Sequence, residues 1–130
     1  MIKIVLVEDH NVVRKGLADL FNKQEGMEVV GQVAGADEVL QLFAEGLEAN
    51  LLISDLNLPE IDGIELTKRM ASKFPTVKVV ILTMHNKEIF VREAFEAGAK
   101  GYILKDGDFE KMVKAVRQVA EGNNFVCDTI

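Results

Sequence analysis

At 130 residues, 48% hydrophobic and 28% charged, the chain is long enough for a single core and too apolar for a disordered segment. Its formal net charge of -6 excludes a piece that grips nucleic acid by itself, because neutralising phosphates needs a basic surface. The lone cysteine, Cys127, excludes an internal disulfide and a thiolate zinc site, and the first apolar run is far too short for a signal peptide or membrane span. A soluble, cytoplasmic protein with no membrane partner is expected.

Taken in order, Ile2 to Val7 (IKIVLV) is β-branched and nearly all apolar, which reads as a buried strand handing over to Glu8, Asp9 and His10. Val12, Val13, Gly16, Leu17, Leu20 and Phe21 then recur at helical spacing, with Asn11 or Asp9 available as cap. Met27 to Ala34 alternates loosely around Gly31 and suggests a strand nearer the sheet edge. Asp37 to Ala44 makes a short second helix ending near Gly46. Leu51, Leu52 and Ile53 lack polar alternation, so this third strand is expected to be covered on both faces. It delivers Asp55 at its carboxyl end, before a turn marked by Pro59 and Gly63.

Ile64, Leu66, Met70 and Phe74 predict a third helix stopped by Pro75. Val77 to Met84 predicts a fourth strand ending with Thr83, and Asn86 to Ala97 a helix with Ile89, Phe90, Ala94 and Val91 inward and Gly98 as its left-handed stop. Gly101 to Leu104 is the fifth strand, followed by Lys105. Phe109, Met112, Val113, Val116, Val119 and Ala120 line one face of a last helix whose other face carries Lys111, Lys114 and Arg117. Five strands alternating with five helices predict an α/β, doubly wound parallel sheet of flavodoxin-like order 2-1-3-4-5. Phe125 to Ile130 fit no sixth unit, so residues 1–122 are expected to form the domain and 123–130 the start of a linker.

In that topology the ends of strands one, three, four and five open on one face and bring Glu8, Asp9, Asp55, Thr83 and Lys105 together. Singly, Asp9 reads as a cap, Thr83 as a strand residue and Lys105 as a loop lysine; their joint placement is what those readings leave unexplained. Two carboxylates about 4 Å apart repel by roughly 4 kcal/mol at an effective dielectric of 20, so three acids in one pocket call for a cation. Oxygen-only ligands favour a hard divalent ion such as Mg2+. With a hydroxyl and an ammonium in reach, the set suits attack of Asp55 on a phosphoryl group.

At these residues the chain resembles a response-regulator receiver domain of bacterial two-component signalling. The resemblance covers about residues 1 to 122 and is carried by Glu8-Asp9, SDLNLPEIDG around Asp55, Thr83, and GYILK ending in Lys105. VEDH, AGAKGYILKD and AVRQVAEGNNFV are similar to the NarL/FixJ-type subgroup, whose members usually carry a LuxR-type helix-turn-helix domain after a linker. The resemblance implies phosphorylation of Asp55 by a histidine kinase's phosphohistidine. It also implies metal held by Asp9, Asp55 and the Asn57 backbone carbonyl with Glu8 assisting, and Tyr102 as a switch aromatic that turns inward as Thr83 moves toward the phosphate. Asn57 and His85 occupy positions that in the family influence how fast the phosphoryl group hydrolyses, whereas His10 reads as a local turn residue.

Glu8 departs from the Asp of many receivers. Asp106 follows Lys105 where many relatives have Pro with a cis peptide, and a cis Lys105-Asp106 bond is expected here despite a cost of about 2.5–4 kcal/mol without proline. The leading expectation is a phosphorylation switch acting through the surface of helix four, strand five and helix five. It would control dimerisation or a DNA-binding domain, with DNA met only through that domain. Catalysis would be limited to the chain's own Mg2+-dependent phosphorylation and slow dephosphorylation. One rival is a HAD-like phosphohydrolase with an aspartyl nucleophile, disfavoured by Asn57 where its second acid would stand; another is a phosphorylation-incompetent, flavin-binding or nucleotide-binding module, disfavoured because no Gly-rich loop follows the first strand.

Overall fold

Eleven elements alternate along the computed structural model, which describes residues 1–127. They are β1 (Ile2–Val7), α1 (Asn11–Asn22), β2 (Met27–Val33), α2 (Ala36–Ala44), β3 (Leu51–Ser54), α3 (Gly63–Lys73), β4 (Lys78–Thr83), α4 (Glu88–Ala97), β5 (Gly101–Leu104), α5 (Phe109–Ala120) and β6 (Phe125–Val126). The strands form one parallel sheet in the order β2-β1-β3-β4-β5-β6, each helix supplying the crossover that parallel neighbours require.

Because side chains alternate along a strand, each central strand feeds two cores. Val5, Val7, Leu52, Val79 and Ile81 pack with Val39, Phe43, Leu66, Met70 and Ala94, so α2, α3 and α4 cover one face. Ile4, Leu6, Leu51, Ile53, Val80 and Leu82 pack with Ala18, Phe21, Met112, Val116 and Val119, so α1 and α5 cover the other. The unbroken apolar run of β3 is explained by this double burial, and Leu51 and Leu52 are fully buried on opposite sides. Gly98 ends α4 at φ +116°, the left-handed stop expected of it.

Several expectations need correcting. The sheet has six strands, not five: Phe125 and Val126 pair with Gly101 and Tyr102, and Cys127 N–H donates to the Tyr102 carbonyl at 3.1 Å. This short strand satisfies backbone groups that the outer edge of β5 would otherwise leave unpaired, so the sheet continues beyond residue 122 into the stretch expected to be linker. Residues 128–130 of that stretch lie outside the described residues.

The inward face of α1 differs from the one the spacing suggested. Ala18 and Phe21 are buried, while Val12, Val13 and Leu20 are exposed. Val12 is nine residues before Phe21, about two and a half turns, and so points to the opposite side. The α1 cap position falls on His10, with no side-chain cap bond from Asn11 or Asp9. Similarly Ile89, in the first turn of α4, faces solvent. Finally, no cis peptide occurs among the described residues, so the Lys105-Asp106 bond is trans. Without proline's tertiary amide nothing offsets the penalty of a cis bond.

Candidate functional site

Four strand ends open on the same edge, and each contributes a polar side chain held by its neighbours. After β1, the Glu8 N–H donates to the Val33 carbonyl at 3.1 Å, which extends the ladder one residue and leaves Glu8 3% exposed. Arg14, one turn into α1, donates from Nη1 to the Glu8 carbonyl (2.7 Å) and from Nη2 to Asn11 Oδ1 (2.6 Å), fixing the turn that carries both acids. Asp9 is exposed, and its Oδ1 lies 3.2 Å from His10 Nδ1, which is also 2.9 Å from Glu8 Oε1. The hydrogen bond to Glu8 and then the Asp9 charge raise the His10 pKa above its ordinary 6.5. His10 is thus part of the acidic turn rather than a bystander, and Arg14 is a supporting residue whose one hint in the sequence is its place one turn after the acids.

After β3, Asp55 is 7% exposed; its N–H donates to the Val7 carbonyl at 3.4 Å and its Oδ1 accepts from the Asn57 N–H at 3.4 Å. The turn leading to α3 is tight. A Cβ on Gly63 would collide with the Asp55 backbone carbonyl, so glycine is required there by space. Asp62 caps α3 by accepting from the Glu65 N–H at 2.8 Å, a role that its Asp-x-x-Glu spacing announces.

After β4, the Thr83 hydroxyl is fully buried and accepts from the His85 N–H at 3.3 Å. The His85 carbonyl accepts from the Tyr102 hydroxyl (2.8 Å), and its Nε2 lies 3.0 Å from Asn57 Nδ2. The Tyr102 ring is inward and completely buried, and burial first of all pushes its pKa up to about 12.

After β5, the Lys105 N–H donates to the Thr83 carbonyl, and its ammonium bridges Glu8 Oε2 (2.7 Å) and Asp55 Oδ2 (2.8 Å). Burial pulls the Lys105 pKa down, but the hydrogen bonds to Asp55 and Glu8 outweigh it and the net shift is upward. Among the described residues Thr83 makes no hydrogen bond to Asp55. Glu8, Asp55 and Lys105 are therefore in direct contact, Asp9 is joined to them through Glu8 and His10, and Thr83, Tyr102, His85 and Asn57 form an adjoining network.

Glu8 and Asp55 share one ammonium and the Asp9 carboxylate stands beside them, so the pocket keeps an excess of negative charge that a hard cation would relieve. Glu8, Asp9 and His10 each offer a ligand atom within 4.8 Å of the others, and Asp55 stands beside this group through the Glu8–Lys105 contact. The carboxylate oxygens of this set fit an ion such as Mg2+, whereas the His10 nitrogen does not. Among the described residues no helix is long and apolar enough to cross a membrane.

Comparison with known proteins agrees with this geometry. The family model for the response regulator receiver domain matches residues 4–117. The response regulator GacA of Pseudomonas aeruginosa is 35% identical over 130 residues, covering 100% of this chain and 60% of GacA. The crystal structure of a LuxR-family two-component response regulator from Aurantimonas sp. superposes with a TM-score of 0.93 at 34% identity, covering 98% of this chain and 91% of that one. RcsB from Salmonella enterica serovar Typhimurium, bound to a promoter in the presence of the phosphomimetic BeF3-, gives a TM-score of 0.89 at 26% identity over 99% of this chain and 64% of RcsB. This chain thus spans about three-fifths of GacA. On the matched sequence, the superposed fold and the Glu8–Lys105–Asp55 cluster together, the chain belongs to the response regulator receiver domain family of two-component signalling, among relatives of the LuxR/NarL type.

Proposed function

We propose that Asp55 is the phosphoryl acceptor of this receiver, taking the group from the phosphohistidine of a histidine kinase. The observation that carries this is Lys105 Nζ held 2.8 Å from Asp55 Oδ2 and 2.7 Å from Glu8 Oε2, an ammonium placed where it can follow charge from the carboxylates to an incoming phosphoryl oxygen. In the transfer an Asp55 oxygen forms the bond to phosphorus as the bond from phosphorus to the donor imidazole nitrogen breaks; the imidazole keeps the electron pair. Glu8, Asp9, Asp55 and the Asn57 backbone carbonyl would hold Mg2+, whose charge, when bound, neutralises the phosphoryl oxygens. Thr83 already accepts one hydrogen bond from His85 and keeps its own hydroxyl proton to donate to the phosphoryl group.

The consequence is a switch rather than turnover of a free substrate. The chain catalyses only its own phosphorylation and slow dephosphorylation, with Asn57 and His85 tuning the second. Movement of Thr83 toward the new charge pulls on the His85 loop, to which the Tyr102 hydroxyl is tied, and so reaches the surface of α4, β5 and α5. That surface would govern pairing of two copies or a DNA-binding output domain like those its relatives use. The RcsB complex with a promoter supports this reading of the whole protein.

Acetyl phosphate with Mg2+ should add one phosphoryl group by intact mass, and chelator or Asp55→Asn should abolish it. Steady release of phosphate from many monoesters, or no labelling with Mg2+ present, would sink the proposal.

A further inference from the structure

We infer that Phe90 is a positioning residue for the lifetime of the phosphorylated acceptor: it steadies the His85 ring and, through that ring, the Asn57 amide across the ends of β3 and β4. The inference rests on Asp55 being the phosphoryl acceptor. His85 is where the switch network converges. Its N–H donates to Thr83 Oγ1 at 3.3 Å and its carbonyl accepts from Tyr102 at 2.8 Å. These two bonds fix its main chain and leave the ring torsions to be set by side-chain contacts. The Asn57 amide lies 3.0 Å from Nε2, and the Phe90 ring sits with its centroid 5.0 Å away, tilted by 51°. That is favourable geometry for an aromatic pair.

Asn57 lies two residues past Asp55 and His85 two residues past Thr83, and β3 and β4 are neighbours in the sheet. The Asn57–His85 bridge therefore links the residues flanking the acceptor and the buried hydroxyl. Hydrolysis of the acyl phosphate forms a bond from water oxygen to phosphorus and breaks the bond from phosphorus to the Asp55 oxygen. Asp55 leaves as carboxylate, and the water's protons pass to inorganic phosphate and solvent. The water must come in line from the open end of the strands. Side chains bridged there narrow its approach.

A cleft of about 170 Å³ lies alongside, bounded in part by Leu56, Asn57, His85 and Phe90. It is large enough for several waters, so an imidazole freed by loss of the phenyl ring would let them reach the strand ends. Phe90 is also in the first turn of α4. Any shift of that helix would then change the lifetime of the signal at its source.

The full chain is labelled with acetyl phosphate and Mg2+, the donor is removed, and decay of the phosphorylated species is followed by intact mass. Phe90→Ala should shorten the half-life about threefold to tenfold, the weight of one aromatic contact, and Phe90→Tyr should restore it. In a His85→Ala background, adding Phe90→Ala should change nothing further, because the ring it steadies is gone. The His85 ring proton resonances of unlabelled protein should move in Phe90→Ala as the ring current is lost. A Phe90→Ala half-life within twofold of wild type, an equal shortening in the His85→Ala background, or unmoved His85 resonances would each overturn the inference. Normal labelling with an unchanged lifetime would overturn it alone, whereas failure of the wild-type chain to label would remove the acceptor reading as well.

Discussion

Two sets of ion pairs in this molecule use the same chemistry in different solvents. Lys105 meets Glu8 and Asp55 at 2.7 and 2.8 Å, with side chains 17%, 5% and 8% exposed. Arg69 meets Glu65 at 3.3 Å on the outside of α3, with both side chains more than 40% exposed. Water can replace either partner of the α3 pair, so its net worth is small. At the strand ends no such substitution is available: remove one charge and the others stay where water solvates them poorly. A site meant to receive an extra anionic group gains from that arrangement, because its ammonium is already desolvated and aimed.

The comparison can be broken by substitution. Lys105→Ala should cost about 3–5 kcal/mol in urea unfolding with chelator present, since it leaves two buried carboxylates facing each other. Added Mg2+ should recover part of the loss by binding the folded state. A cost no larger than that of an exposed pair would show the two regions to be equivalent.

The next largest effect is alkaline. Tyr102 has its pKa raised from 10.0 to about 12, so between those values the unfolded chain has released its phenolic proton and the folded chain has not. Stability is thus retained below pH 10 and falls by about 2–3 kcal/mol as pH rises toward 12. Lys105, also raised from 10.5, acts in the same direction: its contribution is present below 10.5 and is lost as pH rises through its folded value. Tyr102 is the only tyrosine and there is no tryptophan, so phenolate absorbance reads its titration directly. A midpoint near 10 would mean that the ring is solvated. Smallest is Arg69→Ala, expected to change stability by less than about 0.5 kcal/mol, and by less still at high salt. A larger loss would mean that exposure is not what separates the two regions.

Much of the scaffold was legible because its signals are local. β1, β5 and the buried β3 follow from apolar runs that alternate with amphipathic stretches, and the polar residues that close those runs name the strand ends. Signals of this kind mislead where several faces of one element are apolar. On α1 the residues Val12, Val13 and Leu20 repeat as regularly as the buried positions do, and only the sheet beneath selects Phe21 and Ala18. The cap at Asp62 was legible in principle from Glu65, whereas Arg14 gripping the Glu8 carbonyl was not, since it depends on how a turn closes.

By itself, the sequence determined the repeating strand and helix units and the identities of the acids, hydroxyl and amine at the strand ends, because each depends on neighbours a few residues away. Tertiary structure alone decided that Lys105 bridges Glu8 and Asp55 across 97 and 50 residues, that Tyr102 is buried against the His85 carbonyl, and that Phe125 and Val126 add a sixth strand. Contacts at such separations depend on register, twist and competition for unpaired groups, which no short stretch of residues encodes.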